Sequence, residues 1–400
     1  MTKTEVNLSA RGLRAPASPI RRLVPYADAA KKSGTRVFHL NIGQPDIETP
    51  AEMIQAYRDF AGPVLAYGPS AGIPEFRSAV ADYWKHFDVE LSPENVIATT
   101  GGSEAILFAM LAVCDPGDEI LVPEPFYTNY LGFAAAAAVK IVPLPTSVED
   151  GFRLPGREAF EAAIGERTRA ILYSNPGNPT GVVYTREEMQ LLGDLAAEHG
   201  LYLFADEVYR EFVYEGAEFV SAFHLEGLDD RVVVLDSVSK RFSACGARVG
   251  YLATRNREIL DAALRFGQAR LCSPTVDQIA SAAAFGAPAS YIDGVLEEYG
   301  ARREVLYEEL RKIPGVTAHK PAGAFYTVCK LPVADAEKFA IWLLTDFRVD
   351  GRTVMVAPAS GFYATPGQGL DEVRIAYVLN CDDLRASMEI LRRGLEAYEG

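Results

Sequence analysis

Short apolar runs alternate with longer helix-like segments through the middle of the chain. The runs are rich in β-branched and aromatic residues, and most are bounded by Gly, Pro or Asp. They are Asn95–Thr100, Glu119–Val122, Val139–Val142, Ala170–Tyr173, Leu201–Phe204, Arg231–Leu235 and Gly250–Ala253. Helical patterns such as Arg186 to His199 separate some of them. Continuous apolar strands that alternate with helices are typical of an α/β fold, in which helices cover both faces of a mainly parallel sheet.

The last third of the chain has a different pattern. A long charged helix is predicted around Ser290 to Arg311, with acidic and basic residues interleaved on its exposed face. Mixed strands and helices follow, and a helix from about Asp383 to Tyr398 ends the chain. We therefore predict a large domain at residues 48–285. We also predict a smaller α+β domain formed by residues 1–47 and 286–400.

Composition and charge narrow the classes of partner. The 400 residues include 39 basic and 54 acidic side chains, which gives a net charge of −15. This charge argues against nucleic acid or an anionic membrane surface as the main partner. The most apolar stretch, Phe133 to Val139, is far shorter than the ~20 residues that span a bilayer. The five cysteines are scattered without a CxxC pair or a Cys/His cluster, so we expect no metal site and a cytoplasmic location.

Candidate chemistry collects where the predicted strands end, which is where open parallel sheets bind ligands. Thr99 to Glu104 contains a Gly-Gly turn that leads directly into a helix. Exposed backbone N–H groups and the helix N-terminus favour a phosphate there. A tight turn capped by Ser103 explains the same residues equally well.

Two further strand ends carry ionisable residues. Asp206 follows an apolar strand, and an unpaired buried carboxylate is costly. It needs a cation or a protonated ring nitrogen, unless it only caps a helix, and Tyr209 could share its pocket. Lys240 lies just past another buried strand, where desolvation favours the neutral amine that forms a Schiff base. Most lysines, however, are solvated surface residues.

Neighbouring polar residues suit the same chemistry. Ser237 and Ser239 could donate hydrogen bonds to a phosphate, and Arg248 could form a charge-assisted pair with it. Asn178 lies in a loop rich in Pro, Gly and Asn after another core strand, and its side chain is free to form hydrogen bonds.

Five motifs in register resemble the class I/II (fold type I) pyridoxal-phosphate-dependent aminotransferases, aspartate aminotransferase-like. They are Tyr67-Gly-Pro…Gly72, Thr100-Gly-Gly-Ser103, Asn175-Pro-Gly-Asn-Pro-Thr-Gly181, Ala205-Asp-Glu-Val-Tyr209 and Ser237-Val-Ser-Lys240…Gly246-Ala-Arg248-Val-Gly250. The similarity runs from about Leu40 to Arg374. It implies a seven-stranded type of sheet, pyridoxal 5′-phosphate as the cofactor, and a homodimer with shared active sites.

The resemblance also implies residue roles. Lys240 matches the lysine that holds the cofactor and moves a proton, and Asp206 matches the partner of the ring nitrogen. Hydrogen bonds to the ring's phenolic oxygen fall to Asn178 and Tyr209. Tyr127 matches the aromatic residue that stacks on the ring, in preference to Phe126. The phosphate is assigned to Gly102, Ser103, Ser237, Ser239 and Arg248, with Tyr67 reaching the site of the partner subunit.

The substrate's α-carboxylate is assigned by the same resemblance to Arg374, with Gly43 and Asn178 nearby. A structural salt bridge is the alternative for Arg374. The expected reaction is ping-pong transfer of an amino group from aspartate or another common L-amino acid to a 2-oxo acid such as 2-oxoglutarate. A lyase, decarboxylase or synthase on the same fold is the alternative function.

The side chain that the enzyme accepts is less clearly marked. Some aspartate-using relatives carry a lysine directly after the Gly-Gly turn, whereas this chain has Ser103 followed by Glu104. Arg270 falls near the segment from which other relatives supply an arginine to the partner subunit. We expect Arg270 to be a surface residue at a helix end.

Overall fold

The computed structural model describes residues 8–399. The α-helices are α1 Ala10–Arg14, α2 Val24–Lys32, α3 Ala51–Asp59, α4 Pro74–Trp84, α5 Gly101–Val113, α6 Asn129–Ala137, α7 Arg157–Ala163, α8 Arg186–His199, α9 Val238–Arg241, α10 Arg257–Arg270, α11 Thr275–Ala284, α12 Ala289–Leu310, α13 Ala336–Thr345 and α14 Cys381–Ala397. The strands are β1 Arg36–His39, β2 Val96–Thr99, β3 Glu119–Glu124, β4 Lys140–Pro145, β5 Thr168–Ser174, β6 Tyr202–Asp206, β7 Val232–Ser237, β8 Gly250–Ala253, β9 Thr317–Ala318, β10 Tyr326–Lys330, β11 Arg352–Met355, β12 Ala357–Pro358 and β13 Glu372–Ala376.

The largest sheet has seven strands in the order β2-β8-β7-β6-β5-β3-β4. Strand β8 is antiparallel to both neighbours, and the other pairs are parallel. This topology confirms the predicted α/β fold with a mainly parallel sheet. Because β8 runs the opposite way, its first residue, Gly250, pairs with the last residues of its neighbours, Thr99 and Ser237. Six carboxyl ends and one amino end therefore meet at one edge of the sheet.

The continuous apolar pattern of the strands reflects burial on both faces. All residues of β7 are buried; Val232 and Val234 pack into one hydrophobic cluster, and Val233 and Leu235 pack into another. Full burial of such a side chain contributes about 1.5–3 kcal/mol. The two clusters hold helices against opposite faces of the sheet, as the alternation of strands and helices predicts.

A separate hydrophobic cluster joins both ends of the chain. It includes Leu23 and Phe38 from the N-terminal part and Val354 and Leu391 from the C-terminal part. Around it lie the antiparallel sheet β12-β13-β10-β9 and the parallel pair β1-β11. These contacts support a small domain made from both chain ends, although its boundaries stay a prediction. Residues 1–7 and 400 of that predicted domain lie outside the described residues.

Helix α12 matches the predicted long helix, but its charges are not all exposed. Arg302 and Arg303 are 5% and 6% exposed. The Arg302 guanidinium is 2.6 Å from Asp46 and 2.7 Å from Glu298, because the segment before α3 packs on this helix. The prediction that its charges lie on an exposed face is therefore wrong for these two arginines. No single helix among residues 8–399 could span a membrane by length and hydropathy, and α11 and α12 meet those criteria only together, across an 87° bend.

We expect Gly250→Ala to destabilise the protein, because Gly250 lies where strand ends approach most closely. A Cβ atom there would lie 2.5 Å from the carbonyl carbon of Gly101 and 2.6 Å from both the Asp236 carbonyl oxygen and the Gly102 nitrogen. Backbone atoms cannot swing away, so we expect the free energy of unfolding in urea to fall by about 1–3 kcal/mol or more.

Gly246→Ala is the matched control, since apart from its two chain neighbours no described residue has an atom within 4 Å of the Cβ position at Gly246. Its free energy of unfolding should change by less than about 0.5 kcal/mol. Equal stability of the two variants would contradict the close approach.

Candidate active site

A cavity of about 450 Å³ opens at the edge of the large sheet where the strands end. It gathers almost all the predicted site residues: Gly43, Gly102, Ser103, Tyr127, Asn178, Asp206, Tyr209, Ser237, Ser239, Lys240, Arg248 and Arg374. Tyr67 does not line the cavity, and it is 80% exposed. The structure thus brings together residues from distant parts of the sequence, while their individual roles stay a prediction.

Lys240 points into this cavity from the short helix α9. The Ser237 side chain caps this helix by accepting a hydrogen bond from the Ser239 N–H. The Lys240 Nζ donates to the Gly43 carbonyl at 2.8 Å, so the surface-lysine alternative is wrong. A side chain at position 43 would collide with Tyr326, because its Cβ would lie 1.7 Å from the Tyr326 hydroxyl oxygen. Glycine at position 43 therefore leaves room for the Tyr326 hydroxyl to pack against the backbone there.

Asp206 ends β6 and is only 7% exposed. Its carboxylate accepts a hydrogen bond from the Tyr130 hydroxyl at 2.7 Å and another from the Val208 N–H at 3.4 Å. Burial raises the pKa of this carboxyl to about 6. A turn rather than a helix follows, so the helix-cap alternative is wrong. Among the described residues no cation pairs with Asp206, which leaves it available to a protonated ligand atom.

A buried ion network flanks Asp206 and Lys240. Asp236 lies 2.7 Å from a guanidinium nitrogen of Arg241 and 3.2 Å from one of Arg210, and Arg210 also pairs with Glu207 at 3.3 Å. Burial opposes ionisation of Asp236, but the two arginine charges outweigh it and hold its pKa below the ordinary value. Loss of one partner would leave a buried charge unpaired, so the network fixes the chain on both sides of the site.

The Gly-Gly turn forms a positive recess. Helix α5 begins at Gly101, and its N-cap, Thr100, makes no capping hydrogen bond through its side chain. The first N–H groups of the helix, including those of Gly102 and Ser103, therefore lack intrahelical partners. Ser103 lies inside the helix, so the interpretation of it as the cap is wrong. The Arg248 guanidinium packs against Gly101. A phosphate would suit both the free N–H groups at the start of α5 and this guanidinium.

The two serines of the Lys240 motif differ in their hydrogen bonds. The Ser237 hydroxyl donates to the Val249 carbonyl at 2.9 Å and lies 2.7 Å from the Ser239 hydroxyl. Ser237 thus links the end of β7 to the residue before β8. In the described part of the chain the Ser239 hydroxyl has no such bond to the backbone, so it can turn toward a bound phosphate.

Arg374 is a buried cation without an anionic partner among the described residues. It lies on β13 and donates to the Asn178 side-chain oxygen at 3.2 Å and to the Asn41 carbonyl at 2.6 Å, and its Nε has no hydrogen-bond partner. The rings of Tyr326 and Phe362 lie 4.7 and 4.9 Å from the guanidinium carbon. Burial lowers its pKa. The salt-bridge alternative is therefore wrong, and a ligand carboxylate would satisfy this group.

Aromatic side chains complete the cavity wall. Tyr127 lines it, whereas Phe126 packs into the core. The Tyr209 hydroxyl lies 2.8 Å from that of Tyr326, a residue that our sequence analysis missed because β10 carries none of the five motifs. It also missed Tyr130, which lies in the first turn of α6 and whose sequence signal is its place three residues after Tyr127.

Arg270 differs from its prediction. Its side chain is 18% exposed, lies 3.1 Å from Glu104 and donates to the Ala98 carbonyl at 3.0 Å. The expectation of a surface arginine is wrong, because the end of α10 packs on α5 and buries both charges together. Arg270 thus pairs with Glu104 of its own chain.

These groups fit pyridoxal phosphate. The Lys240 amine suits an aldehyde, the buried Asp206 carboxylate suits a protonated ring nitrogen, and the recess at Arg248 suits a phosphate. Arg374 would remain available to a ligand carboxylate. Fold and cavity together suit an enzyme that binds an anionic cofactor beside a lysine and accepts small carboxylates.

Comparison with known proteins agrees with this interpretation of the fold and cavity. The sequence model of the family described as aminotransferase class I and II matches residues 35–385. The chain therefore belongs to the class I and II aminotransferases, whose members depend on pyridoxal phosphate. It is a transaminase, and the lyase, decarboxylase or synthase alternative is not favoured.

Individual relatives cover nearly the whole chain. The chain is 30% identical to the aspartate aminotransferase of Bacillus subtilis, over 93% of this chain and 94% of the relative. It is 32% identical to the aspartate/prephenate aminotransferase of Thermus thermophilus, over 91% and 92%. A solved structure of an alanine aminotransferase from Pyrococcus furiosus has a TM-score of 0.90 at 30% identity, over 98% of this chain and 100% of that one. Relatives named for different substrates are similar to the same degree, so the substrate has to be argued from the site.

The raised pKa of Asp206 predicts a pH-dependent cost of folding. Folded protein keeps this proton up to about pH 6, whereas the unfolded chain loses it near pH 4. The contribution of Asp206 to the free energy of unfolding is therefore fully present below about pH 4, and it is lost as the pH rises through about 6. We expect the free energy of unfolding of the cofactor-free enzyme to fall across this window, relative to Asp206→Asn, by up to about 3 kcal/mol.

Urea unfolding of both proteins at several pH values measures this difference. Asp293→Asn, which alters an exposed carboxylate on α12, is the control and should show no such trend relative to wild type. A difference between wild type and Asp206→Asn that does not change with pH would refute the assignment.

Proposed function

We propose that this aminotransferase moves an amino group from an L-amino acid, such as aspartate, to a 2-oxo acid, such as 2-oxoglutarate, in two half-reactions at one site. The observation that carries the proposal is the pairing of two groups in one cavity. Arg374 is a buried cation that lacks an anion within residues 8–399, and Lys240 presents its amine to the same space. A carboxylate receptor beside an amine is what an α-amino acid requires.

The residues that would hold the cofactor follow from the site. Asp206 would pair with the ring nitrogen, Tyr127 would cover a face of the ring, and Asn178 and Tyr209 would bond the phenolic oxygen. The phosphate would lie among the groups of the Gly-Gly recess and the Lys240 motif: Gly102, Ser103, Ser237, Ser239 and Arg248. When bound, pyridoxal phosphate supplies an electron sink that stabilises negative charge on the substrate's Cα.

The chain's own residues orient the substrate and move its proton. Arg374 binds the α-carboxylate through two N–H groups, which fixes the direction of the Cα–H bond. The Lys240 amine would take the proton from Cα, hold it at Nζ and deliver it to the cofactor side of the substrate's amino nitrogen. The Gly43 carbonyl, 2.8 Å from Nζ, keeps the amine directed into the cavity. Use of the same residues for donor and acceptor gives ping-pong kinetics.

We further infer a homodimer with shared active sites. The segment before α4 exposes Val64, Leu65 and Tyr67 by 71%, 76% and 80%, which is unusual for adjacent apolar side chains on an isolated subunit. A second subunit that covers this segment would place Tyr67 near the partner's phosphate. Sedimentation at assay concentration tests this inference, and a fully active monomer would contradict it.

We also propose a cytoplasmic location. All five cysteines lie within the described residues and are unpaired there, which suits a reducing compartment. Recovery of the native protein outside the cytoplasm after cell fractionation would contradict this proposal.

Replacement of Arg374 tests the carboxylate receptor. We expect Arg374→Ala to lower kcat/KM by about 1–3 kcal/mol or more in free-energy terms, because a charged hydrogen-bonded contact to the substrate is lost. Cofactor content, read from the visible absorbance, should be retained. Arg374→Lys keeps the positive charge but lacks the two parallel N–H donors of a guanidinium, so it should recover part of the loss. An unchanged kcat/KM in Arg374→Ala would rule out the role.

A panel of amino donors against 2-oxoglutarate, oxaloacetate and pyruvate tests the reaction itself. We expect stoichiometric amino transfer, with aspartate or glutamate among the best donors and a dicarboxylic 2-oxo acid as the best acceptor. Chromatographic quantification of the products distinguishes the outcomes. Free ammonia, or an amine formed by loss of the α-carboxylate, as the main product from the amino acid would refute aminotransfer.

A further inference from the structure

Four cations line the cavity, and Arg21 has no partner in the chemistry described so far. Lys240, Arg248 and Arg374 are assigned to the aldehyde, the phosphate and the α-carboxylate. Asp206 is the only carboxylate among the lining residues. Within residues 8–399, Arg21 makes no ion pair and no side-chain hydrogen bond. Its charge is therefore available to an anionic group of a ligand.

The segment that carries Arg21 is fixed on both sides. Pro19 packs so closely on Gly361 that a Cβ there would lie 2.3 Å from the proline ring. Ile20 packs against the small hydrophobic cluster that contains Phe362. Two residues after Arg21, Leu23 is 1% exposed within the cluster that joins both chain ends. Arg21 thus has anchored neighbours while its own side chain is exposed at the cavity wall.

The same cluster connects Arg21 to the carboxylate receptor. Phe362, a member of the cluster against which Ile20 packs, has its ring 4.9 Å from the Arg374 guanidinium carbon. A ligand held by Arg374 therefore lies in a cavity whose wall continues to Arg21. Ser18 and Ile20 line that wall on one side of Arg21, and Val24 lines it on the other.

A second arginine that could bind another carboxylate of the ligand already has an anionic partner. Arg270 is paired with Glu104 at 3.1 Å, and neither residue lines the cavity. The position after the Gly-Gly turn is Ser103, which is uncharged. Among the described residues that line the cavity, Arg21 is the remaining cation to which no ligand group has been assigned.

We propose that Arg21 binds the distal carboxylate of the substrate and so selects dicarboxylic amino acids and 2-oxo acids. The inference rests on the proposed aminotransferase function and adds the residue that sets its substrate class. A guanidinium fork matches a carboxylate with two parallel hydrogen bonds, and a neutral side chain offers it no such partner. Because Arg21 is exposed, its contribution should weaken as the salt concentration rises.

Arg21→Gln and Arg22→Gln form a matched pair for the test. Arg22 is the next residue, but it does not line the cavity and pairs with Glu337 at 3.2 Å. Calorimetry on the cofactor-loaded enzyme measures the affinity for succinate, which has two carboxylates, and for butyrate, which has one. We expect Arg21→Gln to lower the affinity for succinate about tenfold more than the affinity for butyrate. Arg22→Gln should leave the ratio of the two affinities at the wild-type value.

Kinetics provide the second readout. In Arg21→Gln the ratio of kcat/KM for 2-oxoglutarate to that for pyruvate should fall about tenfold, and Arg21→Lys should restore part of it. Wild-type ratios in Arg21→Gln, for binding or for kinetics, would overturn the role of Arg21 while aminotransfer stands. Absence of amino transfer by wild type with every donor and acceptor would instead overturn the proposed function, and this inference with it.

Discussion

The buried carboxylate of Asp236 holds together the strand ends on which the site is built. It pairs with Arg241, which directly follows Lys240, and with Arg210, which lies four residues after Asp206; it also accepts a hydrogen bond from the Ser237 N–H. A buried charge costs several kcal/mol unless it is paired. This pairing is complete only when β6, β7 and helix α9, which carries Lys240 and Arg241, lie together. The positions of Lys240 and Asp206 thus depend on one buried network.

Local charge, rather than total charge, decides what the cavity binds. The chain carries a net charge of −15, yet four cations and one carboxylate line the cavity. Each of these cations can be matched to an anionic or electrophilic part of the ligands: the aldehyde, the phosphate, and the two carboxylates of a dicarboxylic substrate. The excess negative charge lies elsewhere and bears on solubility and on the exclusion of polyanions.

Much of the fold and site could be predicted because the reactive residues are local to strand ends. Helix α8 has the predicted bounds, and Asp206 and Lys240 follow apolar runs that the structure shows as strands. What could not be predicted depends on contacts between distant segments. Tyr326 and Arg21 reach the cavity from β10 and the N-terminal part, and no local pattern marks them. The burial of Arg302 likewise depends on Asp46, which lies 256 residues away in the sequence.

The central claim is that Lys240 and Arg374 serve one amino transfer in two halves. The most direct measurement mixes the cofactor-loaded enzyme with aspartate alone and follows the visible absorbance and the released 2-oxo acid. We predict one equivalent of 2-oxo acid per subunit, a single absorbance change, and recovery of the starting spectrum when 2-oxoglutarate is added. Lys240→Ala should lack both the starting band and the release. Continued turnover without an acceptor, or release of ammonia, would contradict the account.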